Sequence, residues 1–227
     1  VLARWTVIMI PENHDMNMNN PTQLDLISPL VDQFPNLIYI KASGPFTLDP
    51  YYGRAVASYV QNTDAENKLP AIKFHHMSVV DNSRDMPENP SEHILLYHGG
   101  VEGCDVAQFM HNVLPVAIYS QFKIALFGDI HKHQIMGNAV YSGSLIQQNH
   151  GEDPNKGFVL WRFDDSGQPH PQFIPISIPV RFYTIDLRGV TSEEEIKRRC
   201  TRPANHSSNT INRALTDHED KELLKKH

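Results

Sequence analysis

Apolar and polar positions along the chain fall into short alternating blocks, which predicts many brief strands and few long helices. Thr6-Val7-Ile8-Met9-Ile10 is β-branched and apolar and is closed by Pro11, the signature of a core strand. Residues 22–34 carry Leu24, Ile27, Leu30 and Val31 at helical spacing, with Pro35 as the stop. Leu37-Ile38-Tyr39-Ile40 reads as a second strand. Residues 43–70 are interrupted by Pro45, Pro50 and Pro70, with room for a short helix over residues 54–60. Residues 71–77 predict a strand with a polar face, residues 81–91 a loop, and residues 93–97 a clear strand ending at His98-Gly99-Gly100. A helical stretch over residues 106–114 leads to a strand at residues 122–127. A further small strand, Ala139-Val140-Tyr141, precedes the turn Ser142-Gly143-Ser144.

From Gly157 the pattern changes. Residues 157–163, the turn Asp164-Asp165-Ser166-Gly167 and residues 172–176 predict a hairpin, and residues 181–187 another strand with alternating faces. Ser192-x-x-Glu195 and Thr216-x-x-Glu219 are capping-box helix starts. Residues 200–215 show almost no apolar periodicity, so no structure is assigned to them. The pattern as a whole predicts an α/β fold.

Three of the predicted strands are followed at once by polar residues with metal-ligand or acid–base chemistry: Asn13-His14-Asp15, His98, and Asp129-Ile130-His131. Functional groups gather at strand ends in α/β proteins. The recurrence predicts a layered α/β sheet with a site along one edge.

Charge and cysteine usage narrow this only a little. The net charge of −6 is uneven: residues 1–180 hold 10 Lys/Arg against 18 Asp/Glu, and residues 181–227 hold 10 against 8. The first part suits divalent cations and the second a polyanion. Cys104 and Cys200 match no zinc spacing and are read as separate reduced thiols. No apolar run is long enough to span a membrane and no signal peptide opens the chain, so a cytoplasmic protein with no membrane partner is expected. The lack of an initiator Met suggests a start within a longer gene product.

Asn13, His98, Asp129 and His131 are neutral or anionic N/O donors suited to Mn²⁺, Fe²⁺ or Zn²⁺. A two-metal phosphodiesterase places such donors around ions about 3.5–4 Å apart, which polarise phosphoryl oxygens and supply a nucleophile at neutral pH. His14 beside a ligand has the chemistry to donate to the transition-state oxygen or the leaving group, with Asp15 orienting its ring. His75, His76, His111 and His206 have no motif context and are read as surface or structural; His133 and His150 match no ligand position.

Asn13-His14-Asp15 resembles the GNH(D/E) motif of calcineurin-like metallophosphoesterases, with Glu12 in place of the usual Gly. Tyr97-His98-Gly99 resembles that family's lone-His motif. Gly128-Asp129-Ile130-His131 resembles its GHxH motif, with Asp at the first His. Lys132, Gln134 and Tyr141-Ser142-Gly143-Ser144-Leu145 are similar to SbcD-type nuclease subunits. Together with Ile146-Gln147-Gln148-Asn149 and Gly151-Glu152, the Asp variant is most similar to the bacteriophage recombination endonuclease subunit. The resemblance covers about residues 5–187.

The resemblance implies a four-layer α/β/β/α metallophosphoesterase sandwich, partial here, over residues 1–156. The start of a small α+β capping domain that contacts DNA would follow over residues 157–227. It implies a two-ion Mn²⁺ site, with Mg²⁺, Fe²⁺ or Zn²⁺ as substitutes. Asn13, His98 and Asp129 would hold one ion and His131 the other, with His14 as the catalytic histidine and Asp15 beside it. It implies a hydrolase, the nuclease subunit of a double-strand-break repair and recombination complex in a bacterial or phage-infected cell. Its partners would be DNA, an SbcC-type ATPase and a second copy of the intact protein. The family's DxH and GDxxD motifs precede GNH and are not found here, so an N-terminally truncated chain with weak or no activity is expected. The other readings are a phosphatase or cyclic-nucleotide phosphodiesterase of the same fold, and a non-catalytic scaffold fragment.

Overall fold

A computed structural model of the chain describes residues 6–15, 25–49, 54–56, 71–81, 83–177, 180–190, 192–200 and 209–215. It has two compact units, Val1–Ser142 and Gly143–His227. The protein is mixed α/β, with a large mixed sheet and few helices.

In the first unit, β1 (Val7–Met9) pairs in parallel with β2 (Leu37–Tyr39) across α1 (Ser28–Val31). The helix expected over residues 22–34 is only this one turn within the described residues. Asp25, with a fully buried carboxylate, takes the backbone N–H groups of Ile27 and Ser28 at 3.0 and 2.7 Å, which holds the chain in a turn before the helix. Pro29 then fits the first turn, where no N–H partner is needed. Burial alone would raise the Asp25 carboxyl. The Lys41 ammonium at 2.7 Å, together with the Ser28 hydroxyl and the two N–H groups, holds it well below the usual carboxylate range.

β3 (Gly44–Asp49) and β4 (Arg54–Val56) form a hairpin on the edge of the main sheet. The short helix expected at residues 54–60 is therefore a strand over the described residues 54–56. The next strands are β5 (Ile72–Met77) and β6 (His93–His98). After them come α2 (Val116–Tyr119), β7 (Ile124–Gly128), β8 (Gln134–Met136) and β9 (Ala139–Tyr141). The sheet order is β4-β3-β5-β6-β7-β9-β8, with β5, β6, β7 and β9 parallel and β3 and β8 antiparallel. The helix expected over residues 106–114 is one 3₁₀ turn at Ala107–Phe109. The α-helical turn comes later, after Pro115, whose fixed φ of −64° sets its start.

Register explains the core. Leu95, Ala125 and Ala139 lie side by side on β6, β7 and β9, and Tyr97, Phe127 and Tyr141 form the next row of the same face. These six side chains pack with Met77, Val101, Cys104, Leu114, Tyr119 and Phe122. Phe127 meets Tyr97 and Tyr119 edge-on at centroid separations of 6.2 and 5.4 Å. The opposite face is also buried at Ile94, Leu96, Ile124 and Val140, as expected for central parallel strands. The polar face expected on β5 is not exposed: His75 and His76 are both inside the protein.

In the second unit, β10 (Gly157–Phe163) and β11 (Pro169–Pro175) form the expected antiparallel hairpin. β12 (Val180–Asp186) matches the strand expected at residues 181–187. It pairs in parallel with β13 (Asn209–Leu215), a strand in a stretch to which the sequence assigned no structure. Between them α3 (Glu193–Cys200) begins at Ser192, whose Oγ accepts the Glu195 N–H at 3.2 Å, half of the expected capping box. Thr216 and Glu219 lie outside the described residues. The segment Gly143–Lys156 is organised by polar side chains: Gln147 accepts the Phe182 N–H, and the buried Lys156 ammonium binds Ser144 and Glu152. No helix among the described residues is long and apolar enough to cross a membrane.

Candidate metal centre

The site lies in the first unit, where β6 and β7 end side by side. His98 and Gly128 are register partners on the last rung, which places the Asp129 carboxylate at the mouth of the His98 imidazole, Oδ1 to Nε2 3.8 Å. The turn after β1 approaches the same ring from another direction, with Glu12 Oε2 3.5 Å from His98 Nε2.

That turn, Glu12-Asn13-His14-Asp15, is closed at both ends. Asp15 N–H donates to the Glu12 carbonyl at 3.3 Å, and Glu12 N–H donates to Asp15 Oδ2 at 3.0 Å. Among the described residues Asp15 thus braces the loop backbone, rather than the His14 ring as the sequence suggested. Asn13 and His14 occupy the two exposed corners. His14 and Asp15 are both near enough to His98 to act on its charge. His131 is half-buried two residues beyond Asp129. Of the six expected residues, the structure brings His98 and Asp129 together directly and sets Asn13, His14 and Asp15 on the loop that carries Glu12 to them.

His98 Nε2 is buried and has no hydrogen-bond partner among the described residues. A buried polar atom without a partner costs about 1–3 kcal/mol, and this one lies 3.5 Å from the Glu12 carboxylate and 3.8 Å from that of Asp129. Burial pushes the His98 pKa down against the pull of Asp129, Glu12 and Asp15, which favours the neutral imidazole, the form that binds metals. Neither Glu12 nor Asp129 has a Lys or Arg ion pair among the described residues. Ligand atoms about 2.1 Å from one tetrahedral ion sit roughly 3.4 Å apart. The two separations here are slightly wider, and among the described residues no set of three such side chains is closed round a point.

The supporting residues were not all visible in sequence. Glu12 reads there only as a departure from a motif. Gly99 N–H donates to the Gly128 carbonyl at 3.2 Å, and the buried Tyr141 hydroxyl donates to the Gly99 carbonyl at 2.6 Å, tying both strand ends to β9. The Arg84 guanidinium lies over the Tyr97 ring, 5.1 Å from its centroid, a cation–π contact one residue from His98. Asp129 has φ +93°, a conformation that costs a non-glycine residue energy and clusters at functional sites. His133 Nδ1 lies 2.9 Å from the Tyr141 carbonyl.

In the second unit, the cations of α3 are engaged locally: Lys197 with Glu193, and Arg198 and Arg199 with Glu195. The helix holds three acidic and three basic side chains, so the positive balance of residues 181–227 lies outside it.

No family model matches the chain. An uncharacterized protein of Acanthamoeba polyphaga mimivirus, R555, is 32% identical over an alignment of 166 residues that covers 68% of this chain. The chain spans 12% of that protein's length.

Proposed function

We propose that this chain carries the metal-binding part of a calcineurin-like metallophosphoesterase of the SbcD-type nuclease group, acting on phosphodiester bonds in DNA. The observation that carries the reading is His98. Its unpartnered, buried Nε2 faces Asp129 across adjacent parallel strand ends, with the Asn13-His14-Asp15 turn brought to the same point. The nearness of residues so far apart in sequence supports the reading.

On this reading His98, Asp129 and Asn13 hold one divalent ion, Mn²⁺ by preference, and His131 belongs to a second. When bound, such ions polarise phosphoryl oxygens and lower the pKa of water. The chain's own residues position and protonate: exposed His14, at the corner of a turn braced by Asp15, is placed to deliver a proton to a leaving oxygen. The mixed sheet corresponds to part of a four-layer α/β/β/α sandwich, and the second unit to the start of a capping domain that meets DNA. The assembly proposed for the whole protein is a homodimer with an SbcC-type ATPase in the cytoplasm.

With one ion's ligand set and part of another's, turnover is expected to be slow. The test is Mn²⁺-dependent hydrolysis of linear duplex DNA and of bis(p-nitrophenyl) phosphate by the chain and by His98→Ala. Slow cleavage of both, reduced to background in the variant, is the expected result. Hydrolysis of a phosphomonoester in preference to either diester would replace the nuclease reading with a phosphatase. Activity unchanged by His98→Ala would remove the site.

A further inference from the structure

We propose that Arg84 is a phosphate-binding residue beside the strand ends of β6 and β7, its guanidinium taking a phosphate group of the substrate. The inference deepens the reading above and rests on it for the source of that group, the phosphodiester of DNA. Arg84 belongs to none of the strand-end motifs and needs no ion to act.

Three observations carry it. First, the guanidinium is half-buried yet weakly matched by protein acceptors. It donates to the Tyr97 hydroxyl at 3.4 Å and to the Ser83 carbonyl at 3.2 Å, and makes no carboxylate ion pair among the described residues. The adjoining acid, Asp85, instead accepts the Ser83 hydroxyl at 2.9 Å. A guanidinium in that state has N–H donors to spare, and its planar fork matches two phosphoryl oxygens.

Second, the side chain is held. Its guanidinium carbon lies 5.1 Å from the Tyr97 ring centroid, a cation–π contact that restrains an otherwise flexible arm. Tyr97 is itself buried and packs edge-on against Phe127, so the platform is part of the core.

Third, the platform ends at the site. Tyr97 precedes His98 on β6, and its hydroxyl rests on Gly99, where a Cβ would lie 2.7 Å from that oxygen. Gly99 N–H bonds the Gly128 carbonyl, next to Asp129. Arg84 and Asp129 are both near enough to act on the Tyr97 hydroxyl.

Charge gives the residue its purpose. Glu12, Asp15 and Asp129 make the strand ends acidic, and such a field repels a phosphodiester. A fixed guanidinium beside them offsets that repulsion and gives the incoming group a place to dock, and arginine keeps its charge at any working pH.

The experiment is fluorescence anisotropy of a labelled duplex oligonucleotide with the full chain in excess EDTA, across a salt series. Equilibrium dialysis with inorganic phosphate supplies a second probe. Wild type, Arg84→Gln and Arg84→Lys are compared, with urea melts as folding controls. Arg84 lies on a loop, so both variants are expected to fold. Arg84→Gln should weaken DNA binding about tenfold and flatten the slope of log K against log salt by about one. Arg84→Lys should keep the slope and recover part of the affinity, a pattern that loss of a packing contact does not give. Wild-type affinity and slope in Arg84→Gln would overturn the role of Arg84 and leave the functional reading to the hydrolysis assay. Binding of inorganic phosphate but not of DNA, lost in Arg84→Gln, would keep Arg84 as the phosphate ligand and replace the nuclease reading with a phosphatase. Saturable binding of neither probe would overturn the proposal.

Discussion

The His98 imidazole rests against the backbone of Gly128: a Cβ placed on that glycine would lie 2.7 Å from His98 Nδ1. Gly128 has an ordinary backbone conformation, so its lack of a side chain, not its φ freedom, is what the site uses. Gly128→Ala is expected to push the ring out of its position between Glu12 and Asp129. The cost is about 1–3 kcal/mol in stability, typical of overpacking, with a larger proportional loss of affinity at the proposed Mn²⁺ site. Chemical denaturation and metal titration on the same sample separate the two effects. An alanine variant with wild-type metal affinity would show that the contact only fills space.

Asp129 pays for its place with backbone strain. At φ +93° a glycine would sit without penalty. Asp129→Gly should therefore unfold at higher denaturant, by up to about 1 kcal/mol, while weakening Mn²⁺ binding at the proposed site. A stability gain coupled to a functional loss is the mark of a strained site residue. If Asp129→Gly is less stable than wild type, the carboxylate contributes to the fold and the strain argument fails.

Much of this was legible in sequence where the signal is local. The β-branched run around Val7–Met9, the strand ending at His98 and the 157–175 hairpin follow from apolar blocks and turn residues. The helix at residues 22–34 was over-read because apolar spacing is blind to Asp25, which diverts two backbone N–H groups before the helix begins. The β12–β13 pairing was invisible because its register, Phe182 with Ile211 and Ile185 with Ala214, joins residues 29 apart and leaves no local period. At the site, motif spacing indicated that His98 and Asp129 belong together. It gave no reason to look at Glu12, whose importance depends on where a turn aims it.

Two adjacent histidines on β5 should set the acid limit of the fold. His76 is fully buried; its Nδ1 is 3.1 Å from the Ala42 carbonyl and so carries the proton, while Nε2 has no partner among the described residues. Burial pushes its pKa down to about 4, against the Ala42 bond and the nearby Asp81 carboxylate, and with the neighbouring His75 adding to the depression. Burial likewise lowers His75. Because the unfolded imidazoles protonate near 6.5 and the folded ones lower, the unfolded state binds more protons below that pH. Stability is then complete above about pH 6.5 and lost as pH falls toward 4, by about 2–3 kcal/mol for His76. His76→Asn keeps a donor for Ala42 without the titration and should flatten this limb in urea melts between pH 7 and 4. An unchanged slope would place the acid sensitivity elsewhere.

The second unit should depend on one buried ion pair. Lys156 is almost wholly enclosed; its Nζ donates to Glu152 Oε2 at 2.9 Å and to Ser144 Oγ at 2.8 Å. Glu152 also accepts the Gln148 N–H at 3.1 Å and an Asn149 amide N–H at 3.0 Å, so one carboxylate gathers the Gly143–Lys156 segment. The next residue, Gly157, lies so close to β11 that a Cβ would fall 2.2 Å from the Ile174 carbonyl. Lys156→Met fills the same volume but takes the buried ammonium away from the Glu152 carboxylate, which costs about 3–5 kcal/mol, toward the lower end because Glu152 still touches solvent. Glu152→Gln in that background removes the carboxylate charge while keeping an oxygen for Gln148. Lys156→Met/Glu152→Gln is therefore expected to be more stable than Lys156→Met alone, with a coupling of at least about 1 kcal/mol in a urea-denaturation cycle. Additive losses would mean that Lys156 acts through packing, with its charge irrelevant to the segment.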